Sequence, residues 1–307
     1  GLGDVYKRQA FMTVKRHAQP VRPNARQVRE TLMRIVFLVT ACISILAVIL
    51  ICIFMFANGI PTIAEIGPAN FLLGTKWKPL NGIFGILPMI VGSLYVTAGA
   101  ILIGVPVGIL CAVYLARFCS KRLYRVLKPL IDLLAGIPSI VYGFFGLVVI
   151  VPLIQQLTGG SNGKNILTAS LMLGIMILPT IISVSESAIR AVPESYYEGA
   201  LALGATHERS VFFAVLPAAK SGILAGVILG VGRAIGEATA VKMVAGNQPI
   251  LPTSILSGVR TLTSNIVVEM GYAEGLHREA LIATAVVLFV FILLINLSFS
   301  ALKKKEG

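Results

Sequence analysis

Arg233 and Glu237 are charged residues inside an apolar stretch, in the run Gly232-Arg233-Ala234-Ile235-Gly236-Glu237. A charge at bilayer depth costs about 2.5–3.5 kcal/mol on insertion scales, so each residue is a candidate functional site. Because they are four residues apart, they can pair along one helix face, and mutual neutralisation is the competing structural explanation. The planar, permanently charged guanidinium of Arg233 suits bidentate binding of an oxyanion. The pair therefore predicts a pathway lining for an anion.

Glycines recur at helical spacing before these charges. At about 100° per residue, the glycines at 222, 226 and 230 fall within roughly 60° of Arg233. Small residues four apart let neighbouring membrane helices approach closely. The charges are therefore expected to face the interior of a helix bundle and not lipid. The residues predicted to serve helix packing are Gly222, Gly226, Gly230, Gly232 and Gly236.

Catalytic and metal-binding motifs are missing from the sequence. The nearest phosphate-cradling run, Thr158–Asn165, lacks the first Gly and the final Ser or Thr of a Walker A loop, and it is interpreted as a Gly/Asn turn. The four cysteines are scattered, and the three histidines form no cluster with them. We therefore expect no enzyme activity, no metal and no cofactor bound by this chain.

Composition places these residues in a polytopic membrane protein. The chain is 56% hydrophobic, with a mean hydropathy of +0.89. Several apolar runs reach the length of about 20 residues that a bilayer requires. The expectation is an all-α fold with one membrane domain at 35–302, an arm at 1–34 and a tail at 303–307. The six predicted spans are Ile35–Ala57, Gly85–Ala116, Pro129–Ile154, Ile166–Ser185, Val211–Val244 and Ala280–Leu302.

The basic residues predict the orientation of the spans. Most of the 26 Lys and Arg lie in the arm, the 117–128 loop, the 186–210 loop and the tail. Cytoplasmic loops carry such an excess, so both termini are expected in the cytoplasm. No folded basic face that would bind nucleic acid is visible. Residues 1–9 resemble a translated sequencing adapter and are expected to be non-native, with Met12 as a plausible start.

Residues 198–217 carry a second motif. It reads Glu198-Gly199-Ala200, three residues, Gly204, nine residues, then Ala214-Val215-Leu216-Pro217. It resembles the cytoplasmic coupling loop of ABC-importer permeases, E-A-A-x-x-x-G, nine residues, I-x-L-P. The resemblance implies that the 186–217 loop docks a short helix on a separate ATPase subunit. The implied coupling residues are Glu198, Gly199, Ala200, Gly204, Leu216 and Pro217, with Gly204 permitting a tight turn and Leu216-Pro217 starting the fifth span.

A narrower resemblance covers residues 30–302. The run Gly232–Glu237, the later run Met243–Asn247, and the stretches Phe84–Pro88 and Leu134–Ser139 look like the PstC-type permeases of phosphate ABC importers. Members of this family commonly have Thr directly after the Glu. Here Ala238 intervenes, so only Thr239 can supply that hydroxyl.

What the resemblance implies is an inner-membrane importer for phosphate. Such importers combine a sister permease, two ATPase subunits that use ATP, and an extracytoplasmic phosphate-binding protein. The outer segments 58–84 and 247–278 would receive the binding protein. Arg233, Glu237 and Thr239 would line the substrate pathway.

Other functions remain open on the sequence. The same machinery could carry sulfate, molybdate or an organic solute, although an apolar fifth span would suit a neutral cargo better. An ion-coupled secondary transporter or channel would not need a coupling loop. A membrane-embedded enzyme is the weakest alternative, because no His/Asp or Glu/His constellation lies in the spans.

Overall fold

The computed structural model describes residues 25–159 and 162–305, most of which are helical. Residues 1–24, which include the predicted non-native start and most of the arm predicted at 1–34, lie outside the described residues, as do 160–161 of the Gly/Asn turn and 306–307. The α-helices are α1 (Ala25–Ile66), α2 (Pro68–Leu73), α3 (Leu87–Val113), α4 (Lys121–Gly136), α5 (Ser139–Phe145), α6 (Val151–Thr158), α7 (Ile166–Arg190), α8 (Glu194–Ala202), α9 (His207–Ser210), α10 (Leu216–Gly236), α11 (Thr239–Val244), α12 (Leu262–Glu269) and α13 (Gly275–Lys305).

Strand structure is limited to one hairpin in the described part of the chain. β1 (Trp77–Lys78) and β2 (Ile83–Phe84) pair antiparallel, with Trp77 opposite Phe84. A short 3-10 turn at Pro79–Asn81 joins them, and Gly82 completes it in the left-handed region at φ 66°. The predicted all-α class is therefore confirmed, with this small hairpin as the one addition that the sequence analysis did not anticipate.

Six helical segments among the described residues are long and apolar enough to cross a membrane, which confirms the predicted number of spans. We number them one to six in chain order. They are Arg29–Ile66, Leu87–Phe118, Ser139–Thr158, Ile166–Arg190, His207–Gly236 and Gly275–Ser298.

The bounds predicted for spans three and five are wrong. Span three begins at Ser139 and not at Pro129, because Ile137 and Pro138 have extended backbone and separate α4 from α5. Proline disfavours helical backbone in the residue before it, which accounts for this break. Span five ends at Gly236 and not at Val244, because Glu237 is extended at φ −73° and ψ 122°.

Three spans contain a π-helical turn, at Tyr114–Phe118, Gly146–Ile150 and Val211–Val215. The second and third come directly before α6 and α10, which have Pro152 and Pro217 in their first turns. Proline lacks an N–H and clashes with the carbonyl four residues earlier, and a wider turn lets the helix continue. Leu216 and Pro217 therefore lie inside span five, which begins at His207. The prediction that they start this span is wrong.

The core is built around α7, which packs against α3 on one side and α10 on another. Ile177 and Ile181 of α7 are fully buried. A Cβ on Gly108 of α3 would lie 2.8 Å from Ile181, and one on Gly230 of α10 would lie 2.7 Å from it. Glycines on both neighbours therefore make room for the branched side chains of α7, as small residues do in membrane helix packing.

The chain divides into two compact units, Gly1–Phe54 and Met55–Gly307. The described part of the first unit is the beginning of α1, and its apolar side chains from Leu32 to Ile51 are exposed. The second unit contains every predicted site residue. At its hairpin end the buried carboxylate of Glu269 accepts from Trp77 Nε1 over 2.8 Å and pairs with Arg260 and with His277.

Candidate functional site

Arg233 is half-buried near the end of α10. Its Nη1 donates to Oγ1 of Thr180 on α7 over 3.5 Å, which is long for a hydrogen bond. Among the described residues, Thr180 is the only hydrogen-bond partner of this guanidinium. Most of its N–H groups therefore have no acceptor within the described part of the chain. The side chain can receive an oxyanion without first breaking an ion pair.

Glu237 lies just beyond α10, in the break between α10 and α11. Its Oε2 accepts from the hydroxyl of Ser139 over 2.9 Å, and its Oε1 accepts from the backbone N–H of Ala240 over 3.0 Å. Its carbonyl oxygen accepts from the hydroxyl of Thr263 over 3.0 Å. The side chain thus caps the first turn of α11 and fastens the break to α5, while the backbone carbonyl fastens it to α12.

The pairing of Arg233 with Glu237 along one helix face, which the sequence offers as the competing explanation, is not found among the described residues. Pairing four residues apart requires a continuous helix. Here the helix ends at Gly236, and the extended backbone of Glu237 directs its carboxylate to Ser139 and Ala240. Thr239, predicted to supply a hydroxyl, is half-buried at the start of α11 and makes no side-chain hydrogen bond in the described part of the chain.

Three of the five predicted packing glycines contact α7. A Cβ at Gly222, Gly226 or Gly230 would approach side-chain atoms of Ala188, Ser185 or Ile181 to 2.4, 2.9 and 2.7 Å, respectively. Real Cβ atoms do not approach that closely, so larger residues there would displace α7. The packing predicted for Gly232 and Gly236 is not found among the described residues, because a Cβ at either position would have nothing within 4 Å.

The predicted coupling segment forms a short exposed helix, α8, that carries Glu198 and Gly199 on its surface. Gly204 follows it at φ 85°, a left-handed conformation that favours glycine. Its N–H donates to the carbonyl of Leu201 over 2.8 Å and closes the turn. Ala200 is half-buried, whereas the neighbouring Leu203 is 91% exposed. This helix therefore presents an uncovered, partly apolar surface.

α8 is fixed at its first residue. Nη1 of Arg117, at the end of span two, pairs with Oε2 of Glu194 over 2.9 Å, and Arg117 also lies 5.8 Å from the ring centre of Tyr197. The hydroxyl of Tyr197 and Nδ1 of His207 are 2.7 Å apart, so α8 and α9 are joined as well. The helix is thus held against the end of a membrane span.

A family model decides the identification. Residues 104–306 match the model described as "Binding-protein-dependent transport system inner membrane component". This chain belongs to that family. It is a multi-pass inner-membrane permease component, and the match includes both the broken end of span five and the α8 segment.

Relatives of this permease agree with the family. It is 38% identical over 281 residues to the "Probable ABC transporter permease protein YqgH" of Bacillus subtilis, which covers 88% of this chain and 91% of that protein. It is 35% identical over 265 residues to the "Phosphate transport system permease protein PstC" of Mesorhizobium japonicum, which covers 80% and 81%. The resemblance to PstC-type permeases predicted from the sequence is therefore confirmed.

Solved structures confirm the permease fold. A chain of the inward-facing MetNI methionine ABC transporter aligns with a TM-score of 0.56 at 21% identity, over 76% of this permease and 100% of that chain. A chain of a bacterial ABC transporter that imports alginate aligns with a TM-score of 0.59 at 15% identity, over 91% and 99%. At these identities the likeness concerns the fold of an ABC importer permease.

Sequence reasoning missed Ser139 and Thr180, whose hydroxyls contact the two charged side chains, and Thr263, whose hydroxyl donates to the backbone carbonyl of Glu237. Ser139 follows Pro138 at a helix break, and this signal could have identified it. Thr180 and Thr263 lie in other elements, far from Arg233 in sequence, and no local pattern marks them.

Proposed function

We propose that this permease forms half of a pathway for inorganic phosphate, with Arg233 as its anion-binding residue. The observation that carries the proposal is the state of Arg233, a half-buried guanidinium at the broken end of a membrane span with one weak hydrogen bond. Intramembrane cations without a counter-ion are costly, and they mark ion pathways. Discontinuous membrane helices are also where transporters place their substrate sites.

Phosphate is the proposed cargo for two reasons. Relatives of this chain are named as phosphate permeases, and the side chains of Arg233 and Glu237 suit a protonated oxyanion. Near neutral pH phosphate carries at least one proton more than sulfate, so it can donate a hydrogen bond. An ionised Glu237 is only an acceptor, and it can receive that bond. The same carboxylate repels a fully deprotonated anion, which disfavours sulfate. Thr239 supplies a further hydroxyl at the same break.

In this proposal, a partner ATPase subunit powers the transport step. α8, with Glu198, Gly199 and Ala200, docks in a groove of an ATPase subunit, and Gly204 shapes the turn that follows. ATP binds to and is hydrolysed by two such subunits, while this chain binds no cofactor. A sister permease supplies the other half of the pathway, and an extracytoplasmic phosphate-binding protein delivers the anion. Closure of the ATPases then switches the permeases by rigid-body alternating access.

The orientation follows from the charge distribution. Both termini, α4 and α8 lie on the cytoplasmic side, where basic residues are concentrated. The hairpin end then faces outward and meets the binding protein. A permease for sulfate or molybdate is the second candidate, since the Arg233 site would attract any oxyanion.

Uptake by the reconstituted complex tests the cargo. The permease is assembled in proteoliposomes with its sister permease, ATPases and binding protein, and labelled phosphate, sulfate and molybdate are compared. Arg233→Gln is expected to lower phosphate uptake at least about tenfold, because hydrogen bonds to charged groups contribute about 1.5–3 kcal/mol each. Arg29→Gln, which removes the same charge from an exposed position near the start of α1, should leave uptake unchanged. Normal phosphate uptake by Arg233→Gln, or faster uptake of another oxyanion by the unaltered complex, would overturn the proposal.

A further inference from the structure

α4 connects the coupling end of the molecule to the break before span three. It begins at Lys121, shortly after the π-helical turn that ends span two, and it ends at Gly136. Tyr124, Leu127 and Ile131 lie on one helix face by their spacing of three and four residues. All three pack against the apolar cluster that contains Ile189 and Val211. α4 therefore rests on the ends of spans four and five.

A buried carboxylate fixes α4 to α7. Glu186 is 2% exposed, and its Oε1 accepts from the hydroxyl of Tyr124 over 2.7 Å and from Nε of Arg190 over 2.8 Å. Nζ of Lys128 lies 3.4 Å from Oε2 of Glu186 and donates to Ser183 over 3.0 Å. The hydrogen bond to the Glu186 carboxylate raises the pKa of Tyr124, so the phenol keeps its proton and remains a donor.

The same cluster reaches the coupling helix. Nη2 of Arg190 donates to the carbonyl of Leu115 over 2.7 Å, and its guanidinium lies 4.4 Å from the ring centre of Tyr124. Arg117 donates to the carbonyl of Ile189 and pairs with Glu194, the first residue of α8. Charge-assisted contacts thus join α8, the end of span two, α7 and α4 into one connected set.

The opposite end of α4 meets the proposed pathway. The hydroxyl of Tyr142 in α5 donates to the carbonyl of Leu134 in α4 over 2.8 Å, across the Ile137-Pro138 break. Ser139 begins α5 and donates to Glu237. A displacement of α4 along its axis would therefore act on the link between spans three and five, four residues beyond Arg233.

We propose that α4 is a lever that carries movement of the coupling helix α8 to the Ser139–Glu237 link, and that Tyr124 and Glu186 are the positioning residues that hold it. This inference rests on the proposed coupling function of α8, but it does not depend on which anion is carried. The contacts described above join one end of α4 to the coupling helix, its other end to the Ser139–Glu237 link, and its face to α7.

Accessibility of the break tests the lever without any transported substrate. The four native cysteines are replaced by serine, and Ile140→Cys, next to Ser139 and 58% exposed, becomes the reporter. Its labelling rate with a small thiol reagent is measured in the nanodisc-embedded complex, without nucleotide and after trapping with ATP and vanadate. We expect a change of at least about fivefold between the two states. Tyr124→Phe, or separately Glu186→Gln, should reduce that change to less than about twofold.

A second reporter separates the lever from the coupling itself. Leu203→Cys, beside α8, should be protected by the bound ATPase to the same extent with and without Tyr124→Phe. Tyr95→Phe, which alters an exposed tyrosine on α3, serves as the matched control and should leave both reporters unchanged. If Ile140→Cys responds to nucleotide equally well with Tyr124→Phe and with Glu186→Gln, the lever is overturned. It is also overturned if Ile140→Cys shows no nucleotide response when neither substitution is present. Absence of protection at Leu203→Cys would instead overturn the docking of α8 on the ATPase, and the lever with it.

The ratio of ATP hydrolysed to anion taken up provides a readout that a merely structural role would not change. If α4 is no longer held in place, the ATPases can hydrolyse ATP without changing the break before span three. Tyr124→Phe should therefore raise this ratio about tenfold while the assembled complex keeps its ATPase rate. A fall of both activities in proportion would mean that the hydroxyl only supports folding, and it would contradict the proposal.

Discussion

The hydroxyl of Ser139 donates to Oε2 of Glu237 over 2.9 Å and joins the beginning of span three to the end of span five. Each residue lies at a break in its span, so the two breaks meet. The carboxylate is thereby engaged away from Arg233, and the guanidinium remains open to an anion.

Replacing Glu237 with Gln tests its part in selectivity. Gln keeps one oxygen, which can accept from the backbone N–H of Ala240, and its NH2 can donate to the Ser139 hydroxyl, but it loses the negative charge that repels a fully deprotonated anion. We expect phosphate uptake to persist in part and the ratio of sulfate to phosphate uptake to rise about tenfold. Uptake of both anions by proteoliposomes, each with its matched binding protein, measures this. The hypothesis fails if the ratio is the same in Glu237→Gln as in the unaltered permease.

Replacing Gly226 with Leu tests the packing of span five on span four. A Cβ there would already lie 2.9 Å from the Ser185 hydroxyl and 3.2 Å from Val184. Overpacking of this kind costs about 1–3 kcal/mol. The variant should lose thermal stability in detergent, whereas Gly232→Leu, with nothing within 4 Å of its Cβ in the described chain, should not. Equal melting temperatures for the two variants would contradict the assigned packing.

The number of spans and the glycine contacts of span five could be predicted because both depend on local patterns. The length of an apolar run indicates that it crosses the membrane. The four-residue spacing of Gly222, Gly226 and Gly230 indicates which helix face is packed. The breaks could not be predicted in the same way. Hydropathy continues through Pro129 and through Val244, so the apolar runs hide the ends of spans three and five.

The same limit applies to the pairing of the two charges, which the sequence allows as the competing explanation. Such pairing requires helical geometry to continue through Glu237, but the helix ends one residue before it. The hydroxyls found there instead, Ser139 for Glu237 and Thr180 for Arg233, come from two other helices, α5 and α7. Their approach depends on tertiary packing, which a single sequence does not specify.

Cysteine labelling from outside tests the orientation. In a background without the native cysteines, Asn162→Cys and Leu256→Cys should react with an impermeant thiol reagent added to intact cells, whereas Leu123→Cys and Thr206→Cys should not. All four positions are exposed in this chain, so burial does not account for a difference. The expectation follows from the basic residues of α4 and of the 186–210 segment. Labelling in the opposite sense would place α8 outside the cell, where the ATPase could not reach it.

Replacing Gly204 with Trp tests the coupling turn. The residue has φ 85° and open space around it within this chain, so a bulky side chain would not clash internally but would obstruct a docked ATPase. We expect the permease to insert and the ATPases to hydrolyse ATP, with anion uptake reduced at least about tenfold. Gly204→Ala introduces the backbone strain without the bulk, and Gly159→Trp introduces the bulk at an open turn outside the segments proposed to meet the ATPase or the binding protein. Both controls should retain most uptake, because the proposed defect requires a large group at the ATPase contact. Uptake by Gly204→Trp equal to that of Gly204→Ala would show that this turn does not meet the ATPase.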